Sequence, residues 1–161
     1  MSVHARSIAA FALCSMFIAG CSGPQPQPQP SQSSTCVGEQ CDGSEPTALG
    51  CDRDPGPESI ESLDVNIGET KGTLAIRKAN PAVCDRIYWG WFDPKDSTTG
   101  GWEVTFKREG KGAPAQKSEP GNPLITAWTT VLYVKQDVPM QACVTDVASG
   151  QSKCTSDVAR P

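Results

Sequence analysis

Residues 62–78 read SLDVNIGETKGTLAIRK, and this stretch decides the fold class. Leu63, Val65 and Ile67 alternate with polar residues, the period of two that belongs to a half-buried strand. Gly68-Glu69-Thr70-Lys71-Gly72 is turn-like, and Leu74 and Ile76 then resume the alternation. Two such runs around a turn predict a β-hairpin.

The same signature continues on the C-terminal side. RIYWGWFDP, residues 86–94, is aromatic and strand-like, with Gly90 as a candidate bulge. Asp96 to Gly101 reads as a turn, and WEVTFKRE then alternates Trp102, Val104 and Phe106. Residues 109–123, EGKGAPAQKSEPGNP, hold nothing apolar larger than alanine and predict a long loop. ITAWTTVLYVKQ gives one long strand or two short ones, with Trp128, Thr130, Leu132 and Val134 in one register. Met140–Val144 starts a last strand, and a short one around Cys154 follows. Helical periodicity is almost absent. The expectation is an all-β domain, a small disulfide-stabilised sandwich or partly open barrel of about six or seven strands.

The N-terminal side differs in composition. Cys36–Ser59 is turn-rich, with strong turn signals at Asp42-Gly43 and Asp54-Pro55-Gly56. With little to bury, it must be held by its cysteines. Its acids Asp42, Glu45, Asp52 and Asp54 follow no calcium-loop pattern and read as solvated turn residues.

Further upstream the chain addresses itself to a membrane. Arg6 precedes an uncharged run, Ser7–Gly20, of signal-peptide length, and no acidic residue occurs before Glu39. The run ends in Ile18-Ala19-Gly20-Cys21, which resembles the lipobox of bacterial lipoproteins. This implies residues 1–20 as a signal peptide, Cys21 as the lipidated residue, and a location at the outer face of the cell membrane. Residues 21–35, rich in Pro, Gln and Ser, form a tether that favours extended polyproline II. Residues 36–157 form the disulfide-stabilised domain.

Two of the eight cysteines, Cys14 and Cys21, belong to this front end. The remaining six, Cys36, Cys41, Cys51, Cys84, Cys143 and Cys154, predict three disulfides in an exported domain. Fifteen pairings are possible. A local Cys143–Cys154 pair across the turn-like residues 148–151 is favoured, with Cys84 joined to one of the first three cysteines. The spacing of Cys36, Cys41 and Cys51 lacks the tight pairs of structural zinc, so no metal is expected.

The whole chain carries a net charge of −4; without Arg6 the remainder has 13 basic and 18 acidic side chains, net −5. Nucleic-acid binding, which needs a basic patch, is not expected. The only histidine, His4, lies in the signal segment. Ser-His-Asp and Cys-His catalysis and histidine metal sites are thereby excluded from the domain. No cofactor is expected either.

The residues Cys36-Val-Gly-Glu-Gln-Cys41-Asp-Gly-Ser-Glu-Pro46, followed by Gly50-Cys51, resemble the start of a family of actinobacterial exported domains, the uncharacterised DUF2690 family. Its members continue with a strand, a cysteine and a tryptophan motif. The matching stretch here runs Leu74-Ala-Ile-Arg77-Lys78, Cys84, then Tyr88-Trp89-Gly-Trp91. The last part departs from the family: Gly90-Trp91 stands where Ala-Arg is expected. The resemblance implies a secreted or surface-anchored domain and transfers no catalytic residue.

The densest chemistry lies among aromatic residues. Tyr88, Trp89, Trp91, Phe92 and Trp102 fall within fifteen positions. If Tyr88 and Phe92 share one face of a strand, Trp89 and Trp91 share the other. Trp89, Trp91 and Trp102 are the candidate binding surface, for a protein partner or a glycan of the cell envelope. Asp85, Asp93, Asp96, Glu103 and Asp137 are candidate acids for a carboxylate-based hydrolase acting on envelope glycan, but no spacing singles one out. Glu103, between Trp102 and Val104, is expected to point to solvent. The favoured reading is a non-catalytic binding or interaction module held to the membrane by its lipid. A structural envelope domain with no discrete ligand is the alternative.

Overall fold

The computed structural model describes residues 36–95, 101–110, 114–119 and 125–159. The signal segment, Cys21, the tether and Asp96 lie outside them. Nine strands occur among the described residues: β1 Glu58–Ile67, β2 Thr70–Lys78, β3 Ile87–Pro94, β4 Trp102–Arg108, β5 Ala115–Glu119, β6 Ala127–Trp128, β7 Leu132–Tyr133, β8 Met140–Asp146 and β9 Ser152–Cys154. They form two antiparallel sheets. The first has the order β1-β2-β3, with β6 and β7 both on the far edge of β3; the second has the order β5-β4-β8-β9. The sheets are not closed into a barrel.

Two features raise the strand number above six or seven. The stretch 125–136 divides into β6 and β7, and the interruption at Thr129–Val131 changes the register. Trp128 faces outward while Leu132 and Val134 enter the core between the sheets, so the single register expected for these residues does not hold. Within the predicted 109–123 loop, Ala115–Glu119 pairs with β4 from Phe106↔Ala115 to Trp102↔Glu119. An edge strand is held by backbone hydrogen bonds, and these leave no apolar pattern to read.

The β1–β2 hairpin closes through Gly68-Glu69, with Ile67 opposite Thr70. Gly68 has φ +51, and a Cβ there would meet the Asp146 carboxylate at 2.8 Å. Both the turn and the contact therefore require glycine. Gly90 is not a bulge: it pairs in step with Ile76. A Cβ there would lie 3.3 Å from Phe106, Thr129 and Val104, so Gly90 lets the facing sheet approach closely. The bulge is in β1, between Ser59 and Glu61. It shifts the parity so that Ile60, rather than Glu61, packs on the core.

Leu74, Ile76 and Phe92 from the first sheet meet Trp102, Val104, Phe106 and Val144 from the second, all fully buried. Phe92 and Trp102 pack edge to face, with ring centroids 4.9 Å apart. Each large side chain buried here stabilises the fold by about 1.5–3 kcal/mol. The indole Nε1 of Trp102 is buried without a hydrogen-bond partner among the described residues.

The outer face of the first sheet carries a second apolar cluster. Ile87, Trp89, Ala79 and Val131 pack there against Cys41, Cys51 and Cys84. The cover is the cysteine-rich segment, whose regular structure is one 3-10 turn, Gly38–Cys41, and one helical turn, α1 Pro46–Leu49. Three disulfides hold the fold: Cys36–Cys41, Cys51–Cys84 and Cys143–Cys154. Cys84 thus joins one of the first three cysteines, and Cys143 and Cys154 are direct partners across β8 and β9.

Candidate functional site

Alternation places the site. On β3, Tyr88 and Phe92 face the inter-sheet core while Trp89 and Trp91 face outward. β2 sets Arg77 opposite Trp89, and β6 sets Trp128 opposite Trp91. These residues floor a cleft of about 230 Å³. Its wall is the cysteine-rich segment, through Pro46, Thr47, Asp52 and Pro57. α1 brings Pro46 and Thr47 to the rim; Pro46 starts the turn and Gly50, at φ +71, ends it.

Two polar contacts fix the rings. Trp128 Nε1 donates to Glu45 Oε2 at 3.0 Å. The Arg77 guanidinium lies over the Trp91 ring, 5.1 Å from its centroid, and its Nη1 donates to Ser59 Oγ at 2.7 Å. Among the described residues no carboxylate pairs with Arg77. Trp91 and Trp128 remain half-buried and open to the cleft.

The three tryptophans expected at a surface are thus not equivalent. Trp91 keeps its place. Trp89 lines the cleft but is only 3% exposed, because the cysteine-rich segment covers the face that a small sheet would otherwise leave open. Trp102 is fully buried and packs on Phe92 between the sheets, so it belongs to no surface. Trp128 supplies the second open ring. Its sequence signal, a lone tryptophan in a threonine-rich strand, did not separate it from core residues.

The candidate acids are dispersed over different elements. Exposed Asp85 precedes β3 and pairs with Arg86 at 3.8 Å. Exposed Asp93, on β3, accepts a 2.6 Å hydrogen bond from Thr126. Glu103, on β4, is half-buried and accepts from Thr105 at 3.4 Å. Asp137, between β7 and β8, is exposed with φ +61. Asp85 lines a separate cleft of about 200 Å³ with Lys78, Arg86 and Lys135. Each of those cations has a carboxylate partner: Glu58 at 3.5 Å, Asp85 at 3.8 Å and Glu39 at 3.2 Å respectively.

Sequence reasoning missed three carboxylates, Asp42, Glu45 and Asp146. Asp42, expected as a solvated turn residue, grips Arg108 with both oxygens, at 2.9 and 2.6 Å. It also accepts from the Tyr133 backbone N–H at 2.7 Å, and Arg108 Nη1 donates to the Tyr133 carbonyl. Glu45, expected likewise, orients Trp128. Asp146 has no exposed surface. Its carboxylate accepts from Ser149 Oγ at 2.7 Å, Ser149 N at 2.8 Å, Thr70 Oγ1 at 2.8 Å and Glu69 N at 3.2 Å. Ser149 chiefly, with Thr70 and Glu69, lowers its pKa to about 2, against an opposing effect of burial. Two turns, rather than the apolar core, cover this group, so hydrogen bonding outweighs desolvation.

The chain matches no family model, no curated protein and no solved structure in these comparisons.

Proposed function

We propose that this protein is a membrane-anchored, extracytoplasmic lipoprotein whose domain is a non-catalytic binding module at the cell envelope. One observation carries the reading. Trp91 and Trp128, side by side across β3 and β6, open into a cleft that also holds an arginine without a carboxylate partner among the described residues. Large amphipathic rings beside a cation, in a preformed concavity, are what a binding site offers a ligand. The Ile18–Cys21 lipobox, the tether at residues 21–35 and the even six cysteines support an address outside the membrane. In this reading, kinship with the exported DUF2690 domains rests on the cysteine and glycine spacing of residues 36–51.

The candidate acids Asp85, Asp93, Glu103 and Asp137 sit on different elements, and none of them lines the tryptophan cleft. The competing reading is a structural envelope domain with no ligand, in which the cleft tryptophans only finish the packing of the second cluster.

Quenching of tryptophan fluorescence by acrylamide distinguishes these readings. Emission from Trp91 and Trp128 should be quenched in the free protein and protected when a purified envelope polysaccharide or protein fraction is added. Equal quenching with and without every fraction would leave the structural reading in its place. Replacing Cys21 by Ser should release the protein from the membrane fraction with an unchanged melting curve; persistent attachment would refute the lipid anchor.

A further inference from the structure

We infer that the tryptophan cleft recognises a sugar ring bearing a carboxylate, with the indoles of Trp91 and Trp128 against the ring and Arg77 on the acid. This deepens the binding-module reading and rests on it. The two indoles are neighbours on adjacent strands and present apolar area to one cleft. A pyranose has a matching patch of C–H groups on one face, with its hydroxyls at the perimeter. The cleft supplies polar groups at its own perimeter, in Thr47 and Asp52.

Arg77 sets the charge of the ligand. Its guanidinium carbon lies 5.1 Å from the Trp91 ring centroid and its Nη1 donates to Ser59 Oγ, so two contacts restrain the side chain before any ligand arrives. A guanidinium fork matches a carboxylate at two points. Partial burial makes that pairing stronger than on an open surface. The cations of the Lys78–Arg86–Lys135 cleft differ here, since each already has a carboxylate.

Asp52 limits the ligand to one negative charge. It shares the cleft with Arg77, so a polyanion would place a second charge near a carboxylate, in a chain of net −4. Asp52 is well suited instead to accept from sugar hydroxyls. Size selects in the same direction. The cleft, at about 230 Å³, is below the roughly 300–1,000 Å³ typical of sites for drug-sized ligands. It accommodates a single ring in preference to an extended peptide. The Glu45 bond to Trp128 Nε1 holds the second indole in place, which lowers the ordering cost of binding.

The test uses the full-length chain and a panel of oligosaccharides bearing glucuronate, galacturonate or a lactyl-ether acid. Each is compared with its methyl ester by fluorescence titration. At least one acid should bind, and at least tenfold more tightly than its ester. Arg77→Gln should abolish the preference, bringing the ratio of acid to ester affinity to about one. Arg77→Lys, which keeps the charge without the fork, should give an intermediate ratio, with melting curves confirming that both variants fold. Equal binding of acid and ester, or undiminished acid binding by Arg77→Gln, would overturn the charge assignment and leave the module intact. A proline-rich or C-terminal carboxylate peptide that protects Trp91 where no saccharide does would replace the sugar by a peptide. Protection by no saccharide, peptide or envelope fraction would overturn the sugar assignment together with the binding module.

Discussion

The inner face of the first sheet meets another sheet, whereas its outer face meets a segment with almost no regular structure. Between the sheets, Leu74, Ile76, Phe92, Val104 and Phe106 interdigitate as apolar residues at every second position. Outside, the cover over Trp89 and Ile87 contributes mainly cysteines, turns and polar ties. Asp42 reaches Arg108 and the backbone of Tyr133; Glu45 reaches Trp128; Gly43 N–H donates to the Val131 carbonyl, and Val131 N–H to that of Ser44. The inner layer is stabilised by area removed from water. The outer layer, with less area to remove, depends on covalent and charge-assisted links. This is why the cleft opens in the outer layer: a cover stitched at points leaves gaps, and a close-packed core does not.

The largest effect should come from breaking the inner layer. Phe106→Ala removes a fully buried ring and leaves a cavity between β4 and β3, at a cost of about 3–5 kcal/mol. Chemical denaturation should show this as a lower midpoint with an unchanged slope. A loss under 1 kcal/mol would mean that the sheets do not depend on each other as described.

Cys84→Ser should come next. Cys51–Cys84 spans 33 positions, and a bridge of that span contributes about 3.5 kcal/mol by restricting the unfolded chain. The outer layer should loosen with it, so Trp89 emission should shift to the red before the sheets melt. An unchanged melting curve would show that the outer layer does not need its stitch.

The sequence exposed these two layers unequally. The hairpin was legible because Leu63, Val65, Ile67, Leu74 and Ile76 obey the period of a strand with one buried face. The face assignment of Tyr88, Phe92, Trp89 and Trp91 followed from the same geometry. What could not be read was the burial of the outer face, because nothing in Cys36–Ser59 has the pattern of a packing layer. Trp89 therefore looked exposed. Trp102 alternates in step with Val104 and Phe106, so its buried face was legible, and only its nearness in sequence to Trp89 and Trp91 grouped it with them. The site was half legible. Trp91 was found, but Arg77 and Trp128 join it only through strand pairing, and pairing across 37 positions leaves no local mark.

A smaller loss tests the polar ties alone. Asp42→Ala leaves the Arg108 guanidinium, whose side chain is only 9% exposed, without its bidentate partner. A hydrogen bond to a charged group contributes about 1.5–3 kcal/mol, so a loss of about 2 kcal/mol is expected. Fluorescence should show Tyr133 and Trp128 affected and Trp102 untouched. A loss near zero would mean that the disulfides alone hold the cover.

The smallest effect should appear only in acid and belongs to neither face. Asp146 ties the β1–β2 turn to the end of β8 through Thr70, Glu69 and Ser149. Its folded pKa is about 2, below the ordinary value of 3.8. The unfolded chain therefore takes up the proton first as pH falls. The stabilisation is complete above about pH 4, declines as pH falls from there, and is lost below about 2. Asp146→Asn has no carboxylate to titrate, so its melting temperature should fall less steeply than that of the parent across this window. The two curves should converge at the acid end and separate toward neutrality, with the parent higher. Parallel curves would mean that the Asp146 carboxylate contributes no pH-dependent stability, and that the turn-to-strand tie is carried by the backbone alone.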